Sequence, residues 1–164
     1  MSGNELRSDV AAWVRNAEED RGIALSVDRF RYPNGVCFHC QQCIEKYLKA
    51  VLTAHDEKPA RIHDLVALGT ECADYVPAIA EHYSDFVTLT AFAVMIRYPD
   101  GEADAEEAEE AVEAMEAARP VLRAALTLDE PVDADSNGRS HGMAAAPEAD
   151  DNNTTTGATG AETT

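Results

Sequence analysis

The sequence predicts an all-α protein, a bundle of about five helices followed by an acidic tail. Three observations carry that prediction. Apolar residues recur at three- and four-residue intervals over five stretches of the chain. No stretch alternates apolar and polar residues with the period of two that a half-buried strand requires. Turn-forming residues fall between the stretches, at Pro33-Asn34-Gly35, Pro59, Pro77 and Pro99-Asp100-Gly101.

The first helix is expected from about Asn4 to Leu25, with Leu6, Val10, Trp13, Val14 and Ala17 as its apolar stripe and Arg15, Glu18 and Glu19 on its polar side. The turn Phe30-Arg31-Tyr32-Pro33-Asn34-Gly35 leads into the second, from about Gly35 to His55. Its apolar face is Cys37, Cys40, Ile44, Tyr47, Leu48 and Val51. Gln42, Glu45, Lys46, Lys49 and Thr53 are expected on the opposite face. Glu45 stands four residues before Lys49, which supports the helix and patterns a surface suited to a partner. Glu57-Lys58-Pro59 forces a loop. A short third helix is expected from Asp64 to about Tyr75, with Asp64 near its N-terminus to suit the helix dipole.

The fourth helix is expected to start at Pro77, a favourable first helical residue, and to run to about Arg97. Ile79, Tyr83, Phe86, Thr90, Ala93 and Val94 carry its helical spacing. No charge occurs from Phe86 to Ile96, so this helix is expected to be the most buried. The fifth runs from about Asp104 to Leu126, with Ala108, Val112, Met115 and Leu122 inward and a run of Glu outward. Pro120 lies inside it and predicts a kink or an early stop. Residues 1–128 thus form the helical domain. Residues 129–164 are rich in Asp, Asn, Thr, Gly and Ala, which predicts a disordered, acidic, low-complexity tail.

The formal net charge is -18 over 164 residues, which opposes free-standing binding to nucleic acid. Acidic surfaces with lysine only at Lys46, Lys49 and Lys58 suit a high-salt cytoplasm, so a halophilic protein is expected. No apolar run approaches the roughly 20 residues of a membrane span. The start MSGNELRSDV has neither a basic region nor an apolar core, so a cytoplasmic location is expected.

Few residues point to chemistry. Cys37, Cys40 and Cys43 have the C-x-x-C-x-x-C spacing of a thiolate cluster site. They lie within a continuous helix, on or beside its apolar stripe, and we read them as packing residues with no metal and no cofactor. A thiol–metal protein is the alternative they leave. Arg29-Phe30-Arg31-Tyr32 has the composition of a base-stacking, phosphate-holding cluster. Given the net charge, its aromatics are expected to pack on the second helix and its arginines to answer nearby glutamates. His63 sits at a loop-to-helix junction and is a weak candidate for proton transfer. Arg97 is placed either to cap the carbonyls of the fourth helix or to project into a cleft between subunits. His39, His55 and His82 share no helical face. Nucleotide-loop, zincin and nucleophile-elbow motifs are absent.

The order Trp13…Ala17-Glu18-Glu19-Asp20, Tyr32-Pro33, Gln41-Gln42-x-x-Glu45-Lys46-x-x-Lys49-Ala50, His63-Asp64-Leu65 and Arg97-Tyr98-Pro99 resembles the HEPN domain over roughly residues 5–126. The helix QQCIEKYLKAVL is similar to that family's QQAAEKALKALL-type helix, with cysteines where alanine is usual. The resemblance implies an up-and-down bundle, a homodimer, and a small nucleotidyltransferase as partner in a toxin–antitoxin or defence module. It also implies a possible nucleotide ligand. The expected nucleotide- or partner-binding residues are Gln42, Glu45, Lys46, Lys49, His63, Asp64 and Arg97. Ribonucleases of the family carry an R-x4–6-H motif near the fourth helix. Here the positions that follow Arg97 after four to six intervening residues are Glu102, Ala103 and Asp104, and none is His. A non-catalytic member is therefore expected. The alternative is a divergent ribonuclease using Arg97 and a His from elsewhere, with His63 the candidate.

Overall fold

The structure, a computed structural model, describes residues 6–128; the expected tail at 129–164 lies outside the described residues. Five α-helices follow in order: α1 Ser8–Ser26, α2 Pro33–Ala54, α3 Leu65–Cys72, α4 Tyr83–Met95 and α5 Ala105–Ala125. A 3₁₀ segment, Pro77–His82, precedes α4. Among the described residues there is no strand.

α2 is the axis of the bundle. It packs against α1, α3, α4 and α5, and every residue from Tyr47 to Thr53 is buried. Ile44, Tyr47, Leu48 and Leu52 fill the centre beside Leu65, Leu68, Phe86, Leu89, Met115 and Leu122. Each such side chain contributes about 1.5–3 kcal/mol by leaving water. The encirclement corrects one expectation. The face carrying Glu45, Lys49 and Thr53 is not an open surface; all three are buried, as is Gln41. Neighbouring helices cover them, and their polar atoms satisfy one another.

α3 begins where its cap dictates. The Asp64 carboxylate accepts from the backbone N–H of Val66 and Ala67 at 2.9 and 3.1 Å. The Leu65 N–H donates to Thr90 Oγ1 at 3.2 Å, which ties α3 to α4. At the other end of α3, Gly69 meets the rings of Phe86 and Tyr83. The two helices are therefore antiparallel.

The fourth segment departs from expectation twice. It is not one helix from Pro77, because its first six residues take the tighter 3₁₀ form common at helix N-termini. Nor is it the most buried. α4 buries Phe86, Leu89, Phe92 and Ala93 but leaves Val87 and Val94 more than half exposed. Its uncharged stretch is apolar all round, and only one side meets the bundle. The chain then turns back through Tyr98–Gly101. A Cβ on Gly101 would lie 1.9 Å from the Met95 carbonyl oxygen, so the turn requires glycine.

α5 starts with a full capping box. The Asp104 carboxylate accepts from Glu106 and Glu107 N–H, each at 2.9 Å, and Glu107 Oε2 accepts from Asp104 N–H at 2.9 Å. Pro120 does not stop the helix, which continues to Ala125. Burial of Leu122 and Leu126 and the anchoring of Arg119 and Arg123 hold the turn after Pro120. That tertiary packing outweighs the roughly 3 kcal/mol that an internal proline costs.

Candidate functional site

Three carboxylates organise the polar side chains around α2. Glu45, 4% exposed, accepts from Lys49 Nζ at 2.8 Å, Gln41 Nε2 at 3.0 Å and Gln42 Nε2 at 3.3 Å. His63 Nδ1 lies 3.0 and 3.2 Å from its two oxygens. Gln41 also donates to the His63 carbonyl oxygen at 3.0 Å, which fixes the loop before α3. The Lys49 ammonium sits 5.8 Å from the centre of the Trp13 ring, a cation–π contact. Burial works to raise the Glu45 carboxyl, but the bonds from Lys49, Gln41 and His63 outweigh it and hold the group below the ordinary carboxylate range.

Asp20 of α1 accepts from Lys46 Nζ and lies 2.8 Å from His39 Nδ1. Glu18, expected on the polar side of α1, instead turns inward. It accepts from Arg119 Nε at 2.8 Å, Arg119 Nη2 at 3.1 Å and the Tyr47 hydroxyl. Arg123 Nη1 donates to that hydroxyl at 3.0 Å. Burial works to raise Glu18 as well, yet the Arg119 and Tyr47 bonds bring it below its ordinary value. The Tyr47 hydroxyl is pushed up, by burial first and by Glu18 second.

The expected site residues thus divide. Gln42, Glu45, Lys49 and His63 come together. Lys46 belongs to the Asp20 group on the α1 side. Asp64 is engaged as the α3 cap. Arg97 is exposed just past α4, with no side-chain ion pair among the described residues. It stands seven residues beyond Thr90, the last two of them past the end of α4, and Thr90 touches the start of α3. His63 and Arg97 therefore share one end of the bundle. The His63 side chain is 56% exposed. With Nδ1 held by a carboxylate, its Nε2 is free to exchange a proton or a hydrogen bond with a bound group. Within the same cluster the Lys49 ammonium is engaged by Glu45.

The cysteines are core side chains. Cys37, Cys40, Cys43 and Cys72 are all fully buried and free. Burial pushes the Cys37 thiol up to about 11 and the Cys72 thiol up to about 12, and raises Cys40 and Cys43 also. Among the described residues no three His, Cys, Asp or Glu side chains gather as a metal site. No helix among them is long and apolar enough to cross a membrane.

The aromatic turn before α2 is not packed as expected. Phe30 is 78% exposed and Tyr32 is also more than half exposed. Arg29 lies over Phe30 and pairs with Glu109 at 3.0 Å, while Arg31 lies over Tyr32. Arg31, Tyr32, Pro33, Asn34, Gly35, Glu102 and Ala103 line an open cleft of about 390 Å³. The Ala103 N–H donates to Asn34 Oδ1 at 2.7 Å, joining this cleft to the turn after α4.

Sequence reasoning did not find the Asp20–His39–Lys46 and Glu18–Tyr47–Arg119 groups, whose members are far apart in the chain. Gln41, Glu45, Lys49 and Thr53 did leave a signal. They form a polar line at four-residue intervals directly beside the apolar line of Ile44, Leu48 and Leu52, which places it at the edge of the buried face.

A family model described as HEPN domain matches residues 10–124, which takes in all five helices but for a residue or two at the ends. No curated protein and no solved structure matches the chain.

Proposed function

The chain belongs to the HEPN domain family, and from that premise we propose that it is a homodimeric, non-catalytic partner of a small nucleotidyltransferase. The pair would form a toxin–antitoxin or defence module acting in a salt-rich cytoplasm. A nucleotide is a further candidate ligand, at the end of the bundle where His63 and Arg97 present exposed polar groups, with Gln42 behind them.

One observation carries the non-catalytic reading. Where the family's ribonuclease motif has its histidine after the arginine, this chain has Glu102, Ala103 and Asp104, and the fold uses the last two structurally. The Ala103 N–H is bound by Asn34, and Asp104 caps α5. A histidine in place of Asp104 would remove the cap, and one in place of the buried Ala103 would have to find room for a large polar ring. The surroundings agree, since a general acid–base ribonuclease needs a proton-exchanging group and a cation in one cleft. The charge of -18 also repels RNA.

The test has two arms. The tagged chain is expressed with the product of the neighbouring reading frame and purified; a stable complex with a small nucleotidyltransferase is expected. The chain alone is incubated with single-stranded RNA, with an Arg97→Ala preparation beside it, and no cleavage is expected. Cleavage by the unmodified protein that Arg97→Ala abolishes would replace this reading with the ribonuclease one, in which Arg97 and His63 act together across their shared end.

A further inference from the structure

Among the described residues, the exposed large apolar side chains include Leu25, Phe30, Tyr32 and Phe38, all on or beside the turn from α1 to α2. The turn is tied at several points. The Asp28 carboxylate accepts from the Phe30 N–H at 2.9 Å. The Asp28 carbonyl oxygen accepts from the N–H of Arg31 at 3.1 Å and of Tyr32 at 2.8 Å. Arg29, paired with Glu109 and 5.3 Å from the centre of the Phe30 ring, braces the turn against α5. Holding a phenyl ring in water adds nothing to the cohesion of the bundle. It does reduce the entropy lost when another molecule buries that ring.

Beside Phe30, the side chains of Ala24, Leu25, Val27, Val36 and Val112 line an open groove of about 310 Å³ between α1, α2 and α5. Further along the turn, Arg31 lies over Tyr32 at the open cleft described above. Arg31 forms no ion pair among the described residues, although Glu102 lines the same cleft. The turn thus presents an apolar knob, an apolar groove and a cation without a carboxylate.

We infer that this turn is the surface on which the nucleotidyltransferase docks, seating Phe30 in an aliphatic pocket and setting a carboxylate on Arg31. The inference rests on the reading of the chain as the partner of such an enzyme, and names the face it uses. Aromatic residues and arginine are the side chains that protein interfaces favour at their centres. Charge selects the occupant. A second copy docked across a two-fold axis here would bring Arg31 toward its own like charge. Glu106, Glu109, Glu110 and Glu113 line the adjoining side of α5, which turns a phosphate backbone away. A protein face that is apolar at its centre and bears a carboxylate at its rim meets neither obstacle.

The experiment is titration calorimetry of the full chain against the nucleotidyltransferase from the neighbouring reading frame, with sedimentation equilibrium of the chain alone. Phe30→Ala and Arg31→Glu, separately, are expected to weaken the complex at least ~10-fold and to leave self-association unchanged. Both side chains are exposed, so a melting curve equal to that of the unmodified chain confirms folding.

An unmodified chain that forms no complex with the nucleotidyltransferase overturns both the partnership and the surface. A complex that either variant weakens by less leaves the partnership standing and overturns the surface alone. Variants that separate copies of this chain while the complex keeps its affinity assign the turn to self-association, and overturn the inference. So does a single-stranded RNA oligonucleotide that the unmodified chain retains and Phe30→Ala releases, with the complex unchanged.

Discussion

Replacing Glu45 by Gln removes a charge from the interior without changing its shape. Glu45 and Lys49 are 4% and 7% exposed, and their 2.8 Å pair is the one anionic contact of the Lys49 ammonium among the described residues. Glu45→Gln leaves that ammonium buried opposite a neutral amide. Removing one partner of a buried pair costs about 3–5 kcal/mol. The amide oxygen still accepts one hydrogen bond, so the expected cost is near the lower end, about 3 kcal/mol. For a domain of this size each kcal/mol shifts the melting temperature by roughly 2–8 °C, so a fall of about 10 °C follows. The reverse substitution, Lys49→Met, is expected to cost less, about 1–2 kcal/mol, because Glu45 keeps Gln41, Gln42 and His63. The double variant is expected to fall short of the summed losses by at least about 1 kcal/mol. Urea denaturation of all four proteins at neutral pH measures this. A Glu45→Gln loss below about 1 kcal/mol, or strictly additive effects, would refute the claim that the pair is buried and coupled.

Acid should destabilise the fold through Glu18 and Glu45. Both are held below the ordinary range, so their contribution is present above the unfolded value of about 4.3 and is lost as pH falls below it. Urea midpoints compared between about pH 7 and about pH 3 should drop, and the drop should shrink in Glu45→Gln. The triple replacement of Cys37, Cys40 and Cys43 by Ala should fold, at about 1 kcal/mol per site for the lost packing. Elemental analysis that found near-stoichiometric iron or zinc in the unmodified protein would reverse the reading of these thiols. Gly101→Ala should lower stability by about 1–3 kcal/mol in thermal melts, because its Cβ meets the Met95 carbonyl oxygen at 1.9 Å. An unchanged melt would mean that the turn has another form.

The helices were legible because capping, punctuation and spacing agreed. Asp104 and Asp64 stand where α5 and α3 begin, and of the inward stripe expected for α5, Ala108, Met115 and Leu122 are buried and Val112 is partly buried against the core. The departures have a common cause, which is that side-chain character alone does not decide burial. Uncharged residues from Phe86 to Ile96 suggested an interior helix, but an apolar stretch suits a docking face equally well. Glu45, Lys49 and Thr53 suggest a surface, but polar groups can be buried once they are hydrogen-bonded. The candidate site was half legible. His63-Asp64 at the loop–helix junction could be read locally. The contact of His63 with Glu45, 18 residues away, depends on how α2 and the loop fold together, and no local pattern encodes it.

The inward face of α5 is built largely of alanine, at Ala108, Ala111, Ala114 and Ala118. Methyl groups make a smooth ridge, and a smooth ridge permits a helix to slide by a turn at little loss of contact. The ionic links between α1 and α5 forbid that slip. Arg21 meets Glu116 at 2.6 Å, and Arg119 meets Glu18 at 2.8 Å, so the two bridges run in opposite senses between the helices. A displacement of one turn, about 5.4 Å, would break both and strand Arg119 in the interior. The bridges thus act as keys in a keyway. Nonpolar contact supplies the bulk of the cohesion, and the charges select one alignment from several that nonpolar contact alone would tolerate.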